Sequence, residues 1–155
     1  MVIEHLGGKS FRDTAEEELI KRFLETVRPS CWSKAKPELK KDKIIFPDIV
    51  TWDSIHYQYY KEYDFEYDSD RKVSQFCEGI AFGADDVLCG SIEMIMGLDT
   101  RNVDISRWYD LTTTNASNMK FYANGRIDVK FKDSATAESC FKRLRLNEIK
   151  LRDEN

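Results

Sequence analysis

Asn118-Met119-Lys120-Phe121-Tyr122-Ala123-Asn124-Gly125-Arg126-Ile127-Asp128-Val129-Lys130-Phe131-Lys132 is the stretch whose reading decides the fold of this 155-residue chain. Met119 and Phe121 alternate with polar residues, as do Ile127, Val129 and Phe131, and Asn124-Gly125 lies between the two runs. Period-two alternation around Asn-Gly is a β-hairpin signal. The register follows from the faces. A two-residue loop sets Phe121 opposite Asp128 and mixes apolar with charged. A three-residue loop, Ala123-Asn124-Gly125, pairs Tyr122 with Arg126, Phe121 with Ile127, Lys120 with Asp128 and Met119 with Val129. Only the second register leaves one apolar face. It requires Gly125 in the left-handed region, forming a G1 bulge.

Working outward, Asp133 or Ser134 is placed to cap a following helix that buries Ala137, Cys140, Phe141 and Leu144 against the hairpin. Lys142, Arg143 and Arg145 then point largely outward. The C-terminal third reads as ββα. At the other end, Phe11 to Arg28 carries Phe11, Ala15, Leu19, Phe23 and Val27 at intervals of four, which predicts an amphipathic helix stopped at Pro29. Gly7-Gly8-Lys9-Ser10 lacks the upstream glycine of a phosphate-binding loop, since that position is Ile3, so Ser10 or Asp13 is read as a helix cap. Cys31 to Lys43 is a basic connection. Ile44-Ile45-Phe46 is a short strand ended by Pro47. A helix is expected from Arg71 to Phe82, capped by Asp70, ended by Gly83 and burying Val73, Phe76, Cys77 and Ile80. A further helix, capped by Asp85-Asp86, is expected to reach Met96. Asp99 to Ser117 shows no clean period, and Trp108, Tyr109 and Leu111 pin it to the body. The fold class is α+β: an N-terminal helix, central strands and helices, and a C-terminal hairpin followed by a helix, in a single domain spanning 1–155.

The most unusual feature is Glu62-Tyr63-Asp64-Phe65-Glu66-Tyr67-Asp68-Ser69-Asp70, where five carboxylates recur every second residue with aromatics between them. As a strand, continuing the alternation of Ile55, Tyr57 and Tyr59, it presents a row of acids about 6.7 Å apart on one face and aromatics on the other. A nucleic-acid strand also carries one charge per nucleotide. A helix competes, because Tyr60, Tyr63 and Tyr67 share a helical face, and it would scatter the acids. The strand is the preferred reading. Glu62, Asp64, Glu66, Asp68 and Asp70, with Tyr63 and Tyr67, are the candidate partner-binding residues. A basic protein groove attracts such a surface by complementary potential.

Charge is uneven along the chain. Residues 1–55 hold ten basic and ten acidic groups, 56–110 five and twelve, and 111–155 nine and six, for a net charge of −4. A second reading therefore uses the basic third: Lys120, Arg126, Lys130, Lys142 and Arg143 as a nucleic-acid-binding surface. The acidic total weighs against direct nucleic-acid binding as the main role. A third reading is a metal-dependent nuclease. Pro47-Asp48 with Asp128-Val129-Lys130 resembles the PD-(D/E)xK pattern, in which two acids hold a divalent metal and a lysine stabilises the attacked phosphate. The hairpin register, however, supplies Asp128 with Lys120 as a structural partner. No metal site is expected in the acid row, which lacks the central glycine of a calcium loop. None is expected at Cys31, Cys77, Cys89 and Cys140 either, which lack CxxC spacing. No cofactor is implied. No signal peptide and no run of about 20 apolar residues is seen, so a cytoplasmic protein with reduced thiols and no membrane contact is expected.

Lys43-Ile44-Ile45-Phe46-Pro47 and Lys120 to Asp133 together resemble an uncharacterised domain family of phages and mobile elements, found alone or beside a DNA methyltransferase. Ala123 stands where that family usually has lysine, and Asp128 where it has histidine. The resemblance implies a phage or mobile-element origin near DNA metabolism, in the host cytoplasm, and supplies no catalytic residues. With the acid row it leads to the expectation of a non-enzymatic, anti-restriction or anti-CRISPR type inhibitor. Such an inhibitor would bind a host protein with a basic nucleic-acid-binding groove by partial mimicry.

Overall fold

The computed structural model describes residues 5–6, 9–28 and 35–149. Two short strands, β1 (His5–Leu6) and β2 (Lys9–Ser10), pair antiparallel and lead into helix α1 (Phe11–Val27). Ser10 is its N-cap, its hydroxyl accepting from the Asp13 amide at 3.0 Å. Strands β3 (Glu38–Lys40) and β4 (Lys43–Phe46) form a tight hairpin, followed by helix α2 (Ser54–Tyr60) and helix α3 (Ser69–Asp85). A long connection with one 3₁₀ turn at Ile92–Met94 leads to β5 (Tyr109–Asp110) and the hairpin of β6 (Ala116–Phe121) and β7 (Ile127–Phe131). Helix α4 (Ser134–Arg143) and a 3₁₀ turn at Leu146–Glu148 follow. The sheet runs β3-β4-β7-β6-β5, every neighbour antiparallel. The fold is α+β.

The hairpin has the register its faces require: Phe121 pairs with Ile127, Lys120 with Asp128 and Met119 with Val129. The Gly125 amide donates to the Tyr122 carbonyl, and the Tyr122 amide to the Arg126 carbonyl, both at 3.0 Å. Gly125 has φ +89°, and a Cβ there would strike the Val50 carbonyl oxygen. The close approach is purposeful, since the Ile49 and Val50 amides both donate to the Gly125 carbonyl at 3.0 Å. The turn is thus bolted to the loop after β4.

One face of the sheet is the core. Ile44, Phe46, Met119, Phe121, Ile127, Val129 and Phe131 are buried there beneath the helices. Phe23 of α1, Phe46 of β4 and Phe76 of α3 join the layers, with ring centroids 4.7–6.0 Å apart. Burying each ring is worth about 1.5–3 kcal/mol. Asp133 caps α4 through the Thr136 amide at 2.7 Å; Ala137, Cys140 and Leu144 are buried as their spacing demands, while Phe141 of the same stripe is half-buried.

Four expectations are corrected. The connection from Cys31 contains β3, because Lys41 adopts a left-handed φ of 53° and reverses the chain (residues 31–34 lie outside the described part). Helix α3 does not stop at Gly83. It runs to Asp85, and Gly83 leaves room for Cys140 Sγ and Leu144 of α4, which a Cβ would strike. It also starts earlier than expected, at Ser69. The Ser69 hydroxyl donates to the Thr51 carbonyl at 3.0 Å, while Asp68 as N-cap residue makes no side-chain cap. Asp85 begins no further helix. Its carboxylate accepts from the Thr114 and Asn115 amides at 2.7 and 3.0 Å, tying the end of α3 to the approach to β6. No helix among the described residues is long and apolar enough to cross a membrane.

Candidate docking surfaces

The acid row does not form one strand. Residues Ser54 to Tyr60 are helical because Asp53 caps them, its Oδ1 accepting from the Ile55 and His56 amides at 3.0 Å. Lys61 ends the helix in a left-handed turn, φ 56°, its amide donating to the Tyr57 carbonyl. From Glu62 to Glu66 the chain is extended and held from both sides. Asp53 donates to the Asp64 carbonyl and Glu66 to that of Thr51; Phe65 donates to the Thr100 carbonyl and Val103 to that of Tyr63. Alternation works over this short ribbon. Tyr63 and Phe65 pack on Trp52, with centroids 5.3 and 5.4 Å away. Glu62 and Asp64 face His56 instead, at 3.3 Å from Nε2 and 3.8 Å from Nδ1. At Asp68, φ 73°, the chain turns into α3. Glu66, Asp68 and Asp70 therefore surround a turn instead of extending a line, and Tyr67 at its apex is 93% exposed.

The helix before the acids is the surprise. None of the seven α2 residues is buried. Ile55 and Tyr59, four apart and so on one face, are 67% and 75% exposed, and Tyr60 is 67% exposed while packing on His56. Reading this segment as a strand hid that face. Asp53 three residues before His56 was the local signal for a helix start.

The outer face of the sheet, opposite the helices, forms the second surface. Strand pairing sets its side chains in rows. Lys40, Lys43, Lys130, Asn118 and Asp110 form one row; Glu38, Ile45, Asp128 and Lys120 form the next. Asp128 is fully buried (0% exposed) under its own neighbours. Arg126 grips it bidentately, Nε to Oδ1 at 2.7 Å and a terminal nitrogen to Oδ2 at 2.8 Å. Lys43 Nζ and the Tyr122 hydroxyl reach Oδ2 at 3.2 and 3.1 Å. Burial works against its charge, but the Arg126 and Lys43 contacts outweigh that and hold the carboxyl below its usual range. Burial and the Asp128 charge push the Tyr122 phenol up. Lys120 does not salt-bridge Asp128 as the pairing suggested. Its ammonium lies 5.1 Å from the Tyr122 ring and 5.9 Å from Trp108, while the Arg126 guanidinium covers Tyr122 at 4.4 Å.

The structure divides the basic candidates. Lys120, Arg126 and Lys130 share the outer sheet face, with Lys40 and Lys43, which the sequence reading placed in the basic connection. Lys142 and Arg143 belong to the helical layer. Lys142 pairs with Glu138 at 2.9 Å, and Arg143, expected to point outward, donates to the Phe82 and Gly83 carbonyls at the end of α3. Both oxygens of Asp128, which the nuclease reading grouped with Asp48 and Lys130, are engaged by Arg126, Lys43 and Tyr122. Among the described residues, no group of three His, Cys, Asp or Glu side chains is placed to hold a metal.

Fold and surfaces together define an α+β protein with an acid-and-tyrosine edge at α2 and a cationic outer sheet face. Comparison with models of protein families, with curated proteins and with solved structures finds no match.

Proposed function

We propose that α2 and the acidic segment Glu62–Asp70 form a recognition surface for a protein whose complementary face is a basic, nucleic-acid-type groove. The observation that carries this reading is the set of large side chains left in solvent beside the acids: Ile55, Tyr59, Tyr60 and Tyr67. Ile55 and Tyr59 share one face of α2, and exposed apolar side chains that adjoin one another mark interaction sites. Tyrosine is among the residues that dominate interface energies. The neighbouring carboxylates select the partner by charge and speed its capture. Mimicry here is local: Glu66, Asp68 and Asp70 offer a clustered charge, not a duplex-length row. In the setting implied by the resemblance to phage and mobile-element domains, the protein acts as an inhibitor of a host nucleic-acid enzyme of the restriction or CRISPR kind.

The test is capture from bacterial lysate at low salt, with duplex DNA as competitor. Wild type should retain a nucleic-acid-handling protein that excess DNA releases. Ile55→Ser/Tyr59→Ser, and separately Glu66→Gln/Asp68→Asn/Asp70→Asn, should each lose it at unchanged melting temperature. Retention by both variants, or retention that DNA leaves untouched, overturns the reading.

A further inference from the structure

The geometry points to a second binding site, on the outer sheet face, for a single-stranded nucleic acid: phosphates on the lysine row Lys40–Lys43–Lys130 and a base on Trp108. This inference does not rest on the α2 surface, which lies on other residues and carries the opposite charge.

The first argument is the row itself. Lys40 is paired with Lys43, and Lys43 with Lys130, so three ammonium groups stand on three adjacent strands at one register. Adjacent strands are about 4.8 Å apart, so the row covers about 10 Å. Like charges directly opposite one another destabilise a sheet, and the surroundings relieve this only in part. Lys43 reaches Asp128 at 3.2 Å, and Lys40 lies 4.0 Å from Glu38. Lys130 is exposed, with no carboxylate at salt-bridge distance among the described residues. A row of this kind, open to solvent, suits a ligand with anions spaced along a chain.

The second argument is the exposed ring beside it. Trp108 is 36% exposed and offers a ring to solvent, while Tyr122 beside it is half-buried and covered by Arg126; the Lys120 ammonium lies 5.9 Å from the first ring and 5.1 Å from the second. Bases stack on an exposed ring whatever their identity, while nearby cations track the backbone. The third is preorganisation. Asp128, buried and four times contacted, holds Arg126, Lys43 and Tyr122 in place before any ligand arrives. Groups already ordered lose less freedom on binding. A double helix needs a groove-entering element. An open sheet face with an exposed ring beside a lysine row fits an unpaired strand better.

The experiment is fluorescence anisotropy with a labelled 15-nucleotide oligo(dT), titrated with the full chain at 50 mM salt and at rising salt. Wild type should bind, with log affinity falling linearly in log salt. Lys40→Gln/Lys130→Gln touches neither Asp128 nor the core, and should flatten that slope by about 1.4, two phosphate contacts at about 0.7 each. Trp108→Ala should weaken binding about 10-fold, within the range for one stacked base, at unchanged salt slope. Ile55→Ser/Tyr59→Ser should bind oligo(dT) as wild type does, which separates this site from the α2 surface. Circular dichroism checks that each variant is folded. Absence of binding at 50 mM salt, or identical slopes for wild type and the double lysine variant, overturns the proposal. So does equal competition by polyglutamate, which would make the face a site for acidic protein.

Discussion

Residues 118–132 and residues 55–70 both alternate polar and apolar side chains with period two, yet one is a regular hairpin and the other breaks into helix, ribbon, turn and helix. The difference is what each segment pairs with. The hairpin brings its partner along the chain, through a turn whose Gly125 adopts the required φ of +89°. Segment 55–70 pairs through isolated bridges, Trp52 with Phe65 and Tyr63 with Val103, while Asp53 caps a helix first and left-handed Lys61 and Asp68 cut the remainder short. Alternation alone states which faces a strand would have. A ladder of hydrogen bonds decides whether the strand exists.

The two regions also treat carboxylates in opposite ways, which provides the sharpest test. Asp128→Ala should cost about 2–3 kcal/mol in urea denaturation at pH 7. That is below the usual 3–5 for breaking a buried pair, because Arg126 and Lys43 retain about a third of their surface in solvent. Glu66→Gln, on the exposed turn, should stay within about 0.5 kcal/mol. Equal losses would erase the contrast.

Acid titration sharpens it further. The folded Asp128 carboxyl lies below its usual value, because the Arg126 and Lys43 contacts overcome its burial. Its contribution is therefore present above the unfolded value of about 3.9, and is lost as pH falls through the folded one. The stability gap between wild type and Asp128→Asn should be widest near neutral pH and narrow steadily below about pH 4. A gap that widens on acidification would mean the carboxylate is not held charged.

Gly125→Ala tests the hairpin's own restraint. It forces a side chain into the left-handed region and against the Val50 carbonyl, and should cost about 2 kcal/mol, at the upper end of the left-handed penalty. Asp53→Ala removes the cap of α2 and should cost about 1 kcal/mol. Tyr59→Ser, at a site 75% exposed, should change stability by less than about 0.5 kcal/mol. A larger loss there would show that α2 packs against the body, and the docking surface would vanish with it.

The hairpin register, the G1 bulge, a cap at Ser10 or Asp13, another at Asp133 or Ser134, and the α4 stripe apart from Phe141 were legible in the sequence. Each depends on residues within a few positions of one another, where spacing alone states the geometry. Tertiary structure decided the rest. Lys43 reaches Asp128 across 85 positions, Trp52 receives Phe65 and Tyr63 from beyond α2, and Thr100 and Val103 hold the acidic ribbon from the far side. No local pattern announces a partner that distant. The sealing of Asp128, the lysine row and the exposure of α2 follow from which strands and loops the core brings together, because burial is a property of the packed molecule and not of a segment.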